Sequence, residues 1–309
     1  MGLLRRASSA PVVACLVLLA LAGCGSGDGE PKVRAAIGRT GRGRCEFIYP
    51  RAIAVAADDS FYVVDKTGRI QHLSRRGRWL GEFRMPATAA GKPTGLTVGP
   101  DGNLYVADTH YHRVVVFSPA GELLRTIGRF GTGPGRFIFP TDVAFGPDGR
   151  MYVSEYGGND RVSIFSPGGR FLASFGSPGS GPGQFSRPAA LAVDGRRGRL
   201  YVADAANHRI VIYTLTGRLL GSMGSPGAGR GRLRYPYDLA LRRRGELLVC
   251  EYGNNRLQLF SPAGESLGTW GGPGRRLGRL ACPWGVAIDS RGRAIIVDGG
   301  NNRLQVWDF

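Results

Sequence analysis

Side chains that could move protons or hold a metal are few in this chain, and arginine is abundant. Asp142 and Asp238 occupy matching places, each two residues after a proline, Pro140 and Pro236. Such carboxylates can ligate a hard cation, but calcium takes about six to eight oxygens, so two acids alone supply too few. They serve equally to cap a strand mouth or to pair with arginine. The histidines are His72, His110, His112 and His208. A catalytic zinc takes about three protein ligands plus water, and these four are scattered along the chain. Of 41 basic residues three are lysine (Lys32, Lys66, Lys92), so the other 38 are arginine, whose planar fork suits carboxylate and phosphate. Glycine-rich runs at 131–135, 179–183 and 227–231 look like phosphate loops. None is followed by Lys-Ser/Thr or by a helical pattern, so the cradle geometry is missing.

These residues sit on a repeat. An acid followed about five positions later by Arg recurs at Asp65/Arg69, Asp108/Arg113, Glu155/Arg161, Asp204/Arg209, Glu251/Arg256 and Asp298/Arg303. A proline precedes each, at Pro50, Pro93, Pro140, Pro188, Pro236 and Pro283. A period of about 47 residues marks a propeller, solenoid or array. Within the third copy, short runs rich in Val, Ile, Phe and Tyr (140–145, 151–155, 161–165, 171–175) alternate with Gly, Pro, Asp and Asn turns, the signature of strands. No segment carries the 3.6-residue period of a helix. Four antiparallel strands repeated six times predict an all-β, six-bladed β-propeller. The sixth copy stops at Phe309 without an outer strand, while Val33–Gly38 resembles the outer strand Leu124–Gly128. The N-terminal strand is therefore expected to complete the last blade. The acid–Arg pairs then bridge one turn in each blade and have a structural role.

The runs Tyr105–Phe117, Tyr201–Tyr213, Glu251–Phe260 and Asp298–Trp307 resemble NHL repeats. The resemblance covers roughly residues 33–309 and implies a six-bladed propeller with a binding surface. It also carries enzymatic expectations. Related propellers include calcium-dependent lactone or ester hydrolases and a zinc-dependent peptide-amidating lyase. If this chain followed them, the site would lie at the channel mouth, with Asp142 and Asp238 the candidate metal ligands. Some cytoplasmic members bind RNA through a comparable basic face, and the ubiquitin-ligase activity of others does not transfer, because no Cys/His zinc pattern is present.

Residues 1–23 read as a signal peptide: Arg5 and Arg6, an apolar run from Val12, then Leu21-Ala22-Gly23-Cys24, which resembles the lipobox of bacterial lipoproteins. The run is shorter than the about 20 residues that span a bilayer. The resemblance implies that Cys24 is lipidated, residues 24–32 form a flexible tether, and the propeller at 33–309 sits in the cell envelope outside the cytoplasm. Cys45, Cys250 and Cys282 remain. Cys250 fills a small-residue core slot. A Cys45–Cys282 disulfide is expected near the closure seam, in a compartment that permits one.

Charge falls unevenly. The formal +18 becomes +16 once Arg5 and Arg6 leave. Loops leading into the inner strands share a face with the acid-to-Arg turns, and they carry twelve arginines against one acid, Glu46. A one-sign cluster concentrates ions of the other sign. The candidate ligand contacts are Arg51, Arg136, Arg230, Arg232, Arg234, Arg275 and Arg276, with Tyr237 and Trp284 at the channel mouth. The reading is a monomeric, lipid-anchored binding or scaffold protein without a cofactor. Its partners are an acidic protein, an anionic glycan or lipid headgroups, and its compartment disfavours nucleic acid. It leans against catalysis and keeps the metal-dependent enzyme as the alternative.

Overall fold

Turns rich in Gly, Pro and Asp cut the chain into strands of at most seven residues, too short to bury an apolar face unless sheets stack on both sides. The computed structural model describes residues 30–309, which form six four-stranded antiparallel sheets. Each inner strand packs on the next around a central channel, and the sixth packs on the first. Second strands such as Leu104–Asp108 and Leu247–Glu251 are buried throughout. They are sandwiched between neighbouring blades and read as continuous apolar runs for that reason. The outer strand Leu123–Ile127 is largely exposed. Among the described residues the core divides into clusters that fill the clefts between consecutive blades.

Ring closure follows the predicted route. Lys32–Ile37 pairs antiparallel with Arg303–Asp308 as the outer strand of blade 6. Ile37, 3% exposed, seals the cleft between blades 6 and 1 with Phe47, Phe61 and Leu304.

The acid–Arg pairs are ion pairs of 2.6–3.1 Å in every blade. The acids are at most 1% exposed, and each pair reaches further than the turn it spans. The carboxylates of Glu155, Asp204 and Asp298 accept the amides of Ile138, Ser186 and Ala281, at 2.7, 2.6 and 2.7 Å, in the loops leading into the inner strands. The arginines donate to carbonyls of the same loops: Arg161 to Gly133 and Arg136, Arg209 to Gly181 and Gln184, Arg303 to Arg276 and Arg279. The runs that look like phosphate loops are these structural loops. Each turns back over an apolar anchor, Phe137, Phe185 or Leu233, all fully buried. Gly176 shows why glycine precedes them. Its φ is +93°, and a Cβ there would lie 2.4 Å from the Phe185 ring.

One expected bond is absent. Cys282 is a free thiol, so no Cys45–Cys282 disulfide forms. Cys45 lies five residues before Pro50, tucked outward under blade 1. Its amide donates to the Gln71 side chain, and its Sγ is 3.7 Å from the Gly77 carbonyl. Cys282 immediately precedes Pro283, and its amide donates to Asn255. The two occupy different stations on their loops. Cys250 is free and fully buried. The leader and Cys24 lie outside the described residues.

Arg209→Ala should strand a buried Asp204 and two loop carbonyls, lowering stability by about 3 kcal/mol in urea unfolding; Arg218→Ala on an exposed turn should change it by under about 0.5 kcal/mol. Deleting residues 30–37 should lower the melting temperature sharply, because blade 6 loses its outer strand. A melt unchanged by the deletion would mean that the ring closes without it.

Candidate active site

Six inner strands begin at the upper face, the face of the acid-to-Arg turns, and the residue after each proline points to the channel mouth. In chain order these are Arg51, Thr94, Thr141, Ala189, Tyr237 and Trp284, and all six line one cavity of about 250 Å³. The ring below is Ala52, Gly95, Asp142, Ala190, Asp238 and Gly285. Its small members leave room for the two aspartates. A Cβ on Gly95 would stand 2.8 Å from Asp142 Oδ1, and one on Gly285 would stand 3.3 Å from Asp238 Oδ2.

The turns add three more side chains to the cavity: His110, Tyr156 and Arg187. Tyr156 follows the blade 3 acid, and Arg187 precedes Pro188 with φ at +57°, a backbone region costly for a side chain of this size. Arg51 lies over the Trp284 ring at 5.1 Å. Arg187 lies 5.4 Å from Tyr156 and 5.5 Å from Tyr237. Tyr237 in turn packs on Trp284 at 4.8 Å and stacks on Tyr252 at 4.7 Å. One wall is thus aromatic and carries two cations held by their ring faces. No acid lines this cavity, and neither guanidinium has an ion-pair partner among the described residues. Arg51 Nε, Trp284 Nε1 and His110 Nδ1 are buried without a hydrogen-bond partner. Burial lowers the Arg51 pKa, and the nearby Arg187 charge acts in the same sense. The opposite wall is already committed. Thr94 Oγ1 donates to the Thr141 carbonyl and Thr141 Oγ1 to the Pro188 carbonyl, at 3.0 and 2.7 Å.

Beneath lie the carboxyls. Asp142 accepts the Leu191 amide of blade 4 at 2.9 Å, and Asp238 accepts the Val286 amide of blade 6 at 2.7 Å and its neighbour Leu239 at 2.8 Å. Burial raises the Asp238 pKa to about 7. Burial and then the Asp238 charge push Asp142 well above the usual carboxylate range. Two interacting carboxyls do not ionise together near neutrality. Asp142 thus spends one oxygen on a backbone amide and Asp238 spends both. Among the described residues no group of three or more His, Cys, Asp or Glu converges. The pair therefore does not fit the calcium or zinc site that related propellers suggest.

Of the residues singled out in the sequence, Arg51, Tyr237 and Trp284 meet at the mouth above Asp142 and Asp238. Arg136, Arg230, Arg232, Arg234, Arg275 and Arg276 stand on exposed loops outside the cavity. Arg230 turns outward to the carbonyls of Ser266 and Leu267, at 2.9 and 3.0 Å. Arg187, Tyr156 and His110 escaped selection. Their signal was positional, one residue before a proline or one or two after a motif acid.

The NHL repeat family matches residues 91–117 and 280–307, and the DUF5128 family, described as a 6-bladed beta-propeller, matches residues 146–224. No curated protein matches the sequence significantly. The solved structures include a catalytically inactive virginiamycin B lyase of Staphylococcus aureus with quinupristin. It is 16% identical, covering 87% of this chain and 82% of that one, with a TM-score of 0.61. A gluconolactonase of Xanthomonas campestris is 16% identical over 85% and 86%, with a TM-score of 0.64. An auxiliary nutrient binding protein of Bacteroides thetaiotaomicron is 14% identical over 84% and 69%, with a TM-score of 0.64. At these identities the likeness is one of fold. It nevertheless corrects the leaning against catalysis, since the architecture is shared with lyases and a lactonase.

The carboxyl pair has a pH signature. A folded pKa above the unfolded one means that the unfolded chain releases its proton first. Stability then falls as pH rises from about 4 through about 7. Asp238→Asn should flatten this fall, so that the variant gains on the wild type in thermal melts between pH 5 and 8. A wild type that gains instead would show that the fold favours the anion.

Proposed function

We propose that this protein is an enzyme of the channel mouth that cleaves an ester or lactone bond in a small anionic substrate by general acid–base chemistry. One observation supports the reading above others: two unpaired arginines, Arg51 and Arg187, converge with aromatic rings over a coupled carboxyl pair. A base poised near neutrality is what proton transfer at that pH requires. Perturbed carboxyls below a cavity are also where such chemistry concentrates. The lyase and gluconolactonase named above give the fold a precedent for catalysis.

In this reading, ionised Asp238 takes a proton from water, and the water oxygen bonds to the substrate carbonyl carbon. The resulting oxyanion lies against the guanidiniums, which stabilise charge strongly in a partly desolvated site. Collapse breaks the carbon–oxygen bond, and the departing alkoxide takes the proton of Asp142. The products are an alcohol and a carboxylic acid, and the two carboxyls return to one shared proton after exchange with solvent. Tyr237 and Trp284 hold the apolar body of the substrate, and no metal enters.

The test is acid release, followed by pH-stat, from a panel of carboxylate-bearing lactones and esters together with gluconolactone. Cleavage should rise with pH through about 7. Asp238→Asn should lower kcat by about a hundredfold or more, and Arg187→Ala should lower kcat as well as raise KM, because the oxyanion loses one of its guanidiniums. Wild type silent across the panel, or unaffected by Asp238→Asn, would refute the proposal.

A further inference from the structure

The lower face, opposite the mouth, is split by charge. The inner turns of blades 1 to 3 carry Asp58, Asp59, Asp101 and Asp148, with Arg150 the one base. Those of blades 4 to 6 carry arginine in excess. Their acids are spent locally: Asp194 on Arg197 at 3.0 Å, Glu246 on Arg242 at 3.7 Å and Asp289 on Arg293 at 2.6 Å. Among the described residues Arg196, Arg243, Arg244 and Arg291 are left exposed without an ion pair, Asp59 of blade 1 lying near Arg291 through its bonds to Ser290. They stand close together, since Arg196 reaches the Arg243 carbonyl at 3.3 Å and Arg197 the Arg244 carbonyl at 3.2 Å. Arg243, Arg244 and Arg291 also line a groove that ends at Phe309.

The chain leaves the propeller beside that groove. Lys32 pairs with Asp308, so residue 30 points out of the lower face next to Phe309. Residues 24–31 span at most about 28 Å and depart from the lower face. An anchor at Cys24 therefore brings that face to the membrane first.

We infer that the Arg196/Arg243/Arg244/Arg291 surface docks on the anionic phospholipid headgroups of the membrane that holds the anchor. This rests on the lipobox reading of Cys24 and is independent of the catalytic proposal. The tether brings the face to the bilayer. The arginines then bind phosphate oxygens, with a juxtamembrane attraction that accumulates with each basic residue and is screened by salt.

Residues 25–309, which contain every strand of the closed ring, lack the leader and the lipid, so their binding reports the face alone. In vesicle flotation they should bind membranes of phosphatidylcholine with phosphatidylglycerol, release in high salt, and ignore phosphatidylcholine alone. Arg243→Glu, Arg244→Glu and Arg291→Glu together should lower the partition about tenfold or more. Arg136→Glu, Arg232→Glu and Arg276→Glu on the upper face should leave it unchanged, with thermal melts confirming that both triples fold. Absence of a phosphatidylglycerol preference, or an equal or larger loss in the upper-face triple, would overturn the inference. The mass of the mature N-terminus from membranes scores the anchor separately.

Discussion

A buried carboxylate, the arginine across its turn and the loop that both of them hold form the interaction on which the rest of this structure depends. A loop of glycines and arginines has little apolar mass beyond one anchor, such as Phe137, Phe185 or Leu233, with which to fix its path. It is fixed here because its amide hydrogens point at an acid and its carbonyls at a guanidinium, both supplied by the second and third strands. The arrangement satisfies polar groups that would otherwise be costly to bury. It is obtained against desolvation, which raises Asp108, Glu155, Asp204 and Glu251 above the ordinary carboxylate range despite their partners. Removing an arginine is therefore worse than losing one contact, because it leaves a charge the fold has already dehydrated.

Fixing the loop fixes the proline after it, and so the two residues that reach the channel. A six-fold framework presents twelve positions at fixed height, and individuality enters only where they differ. Threonine on blades 2 and 3 and alanine or glycine elsewhere stitch strands together or leave space. Arg51, Tyr237, Trp284, Asp142 and Asp238 break the symmetry, and they are on blades 1, 3, 5 and 6. The asymmetry explains how one repeated scaffold can make a single site.

The architecture was legible because its determinants are local and repeated. The acid–Arg spacing, the turn residues and the strand that completes blade 6 can each be read from neighbours in sequence. The second ring was legible too, since counting from each proline brings Asp142 and Asp238 to the same height. The rest depended on depth along the loops. Arg136 and Arg230 looked equivalent to Arg187 by charge, but only Arg187 sits one residue from its proline and turns inward. The same error joined Cys45 to Cys282. Their loops are neighbours in the ring, but the cysteines occupy different places along them. The raised pKa of Asp238 was invisible because it arises from burial, which spacing does not record.

The two faces answer to one constraint, the strand Lys32–Ile37. By running antiparallel to Arg303–Asp308 it must start at the lower face, and the motif turns and the mouth must then lie on the other. A parallel or missing closing strand would set no such relation between the chain's point of departure and its cavity. With the anchor and headgroup contacts inferred above, the mouth opens away from the bilayer toward small solutes of the surrounding space. An anionic substrate then approaches arginines that are not already neutralised by lipid. Charge on the lower face and charge at the mouth are thereby kept to separate ligands about one strand length, roughly 20 Å, apart, beyond a physiological Debye length. Each can be altered without disturbing the other.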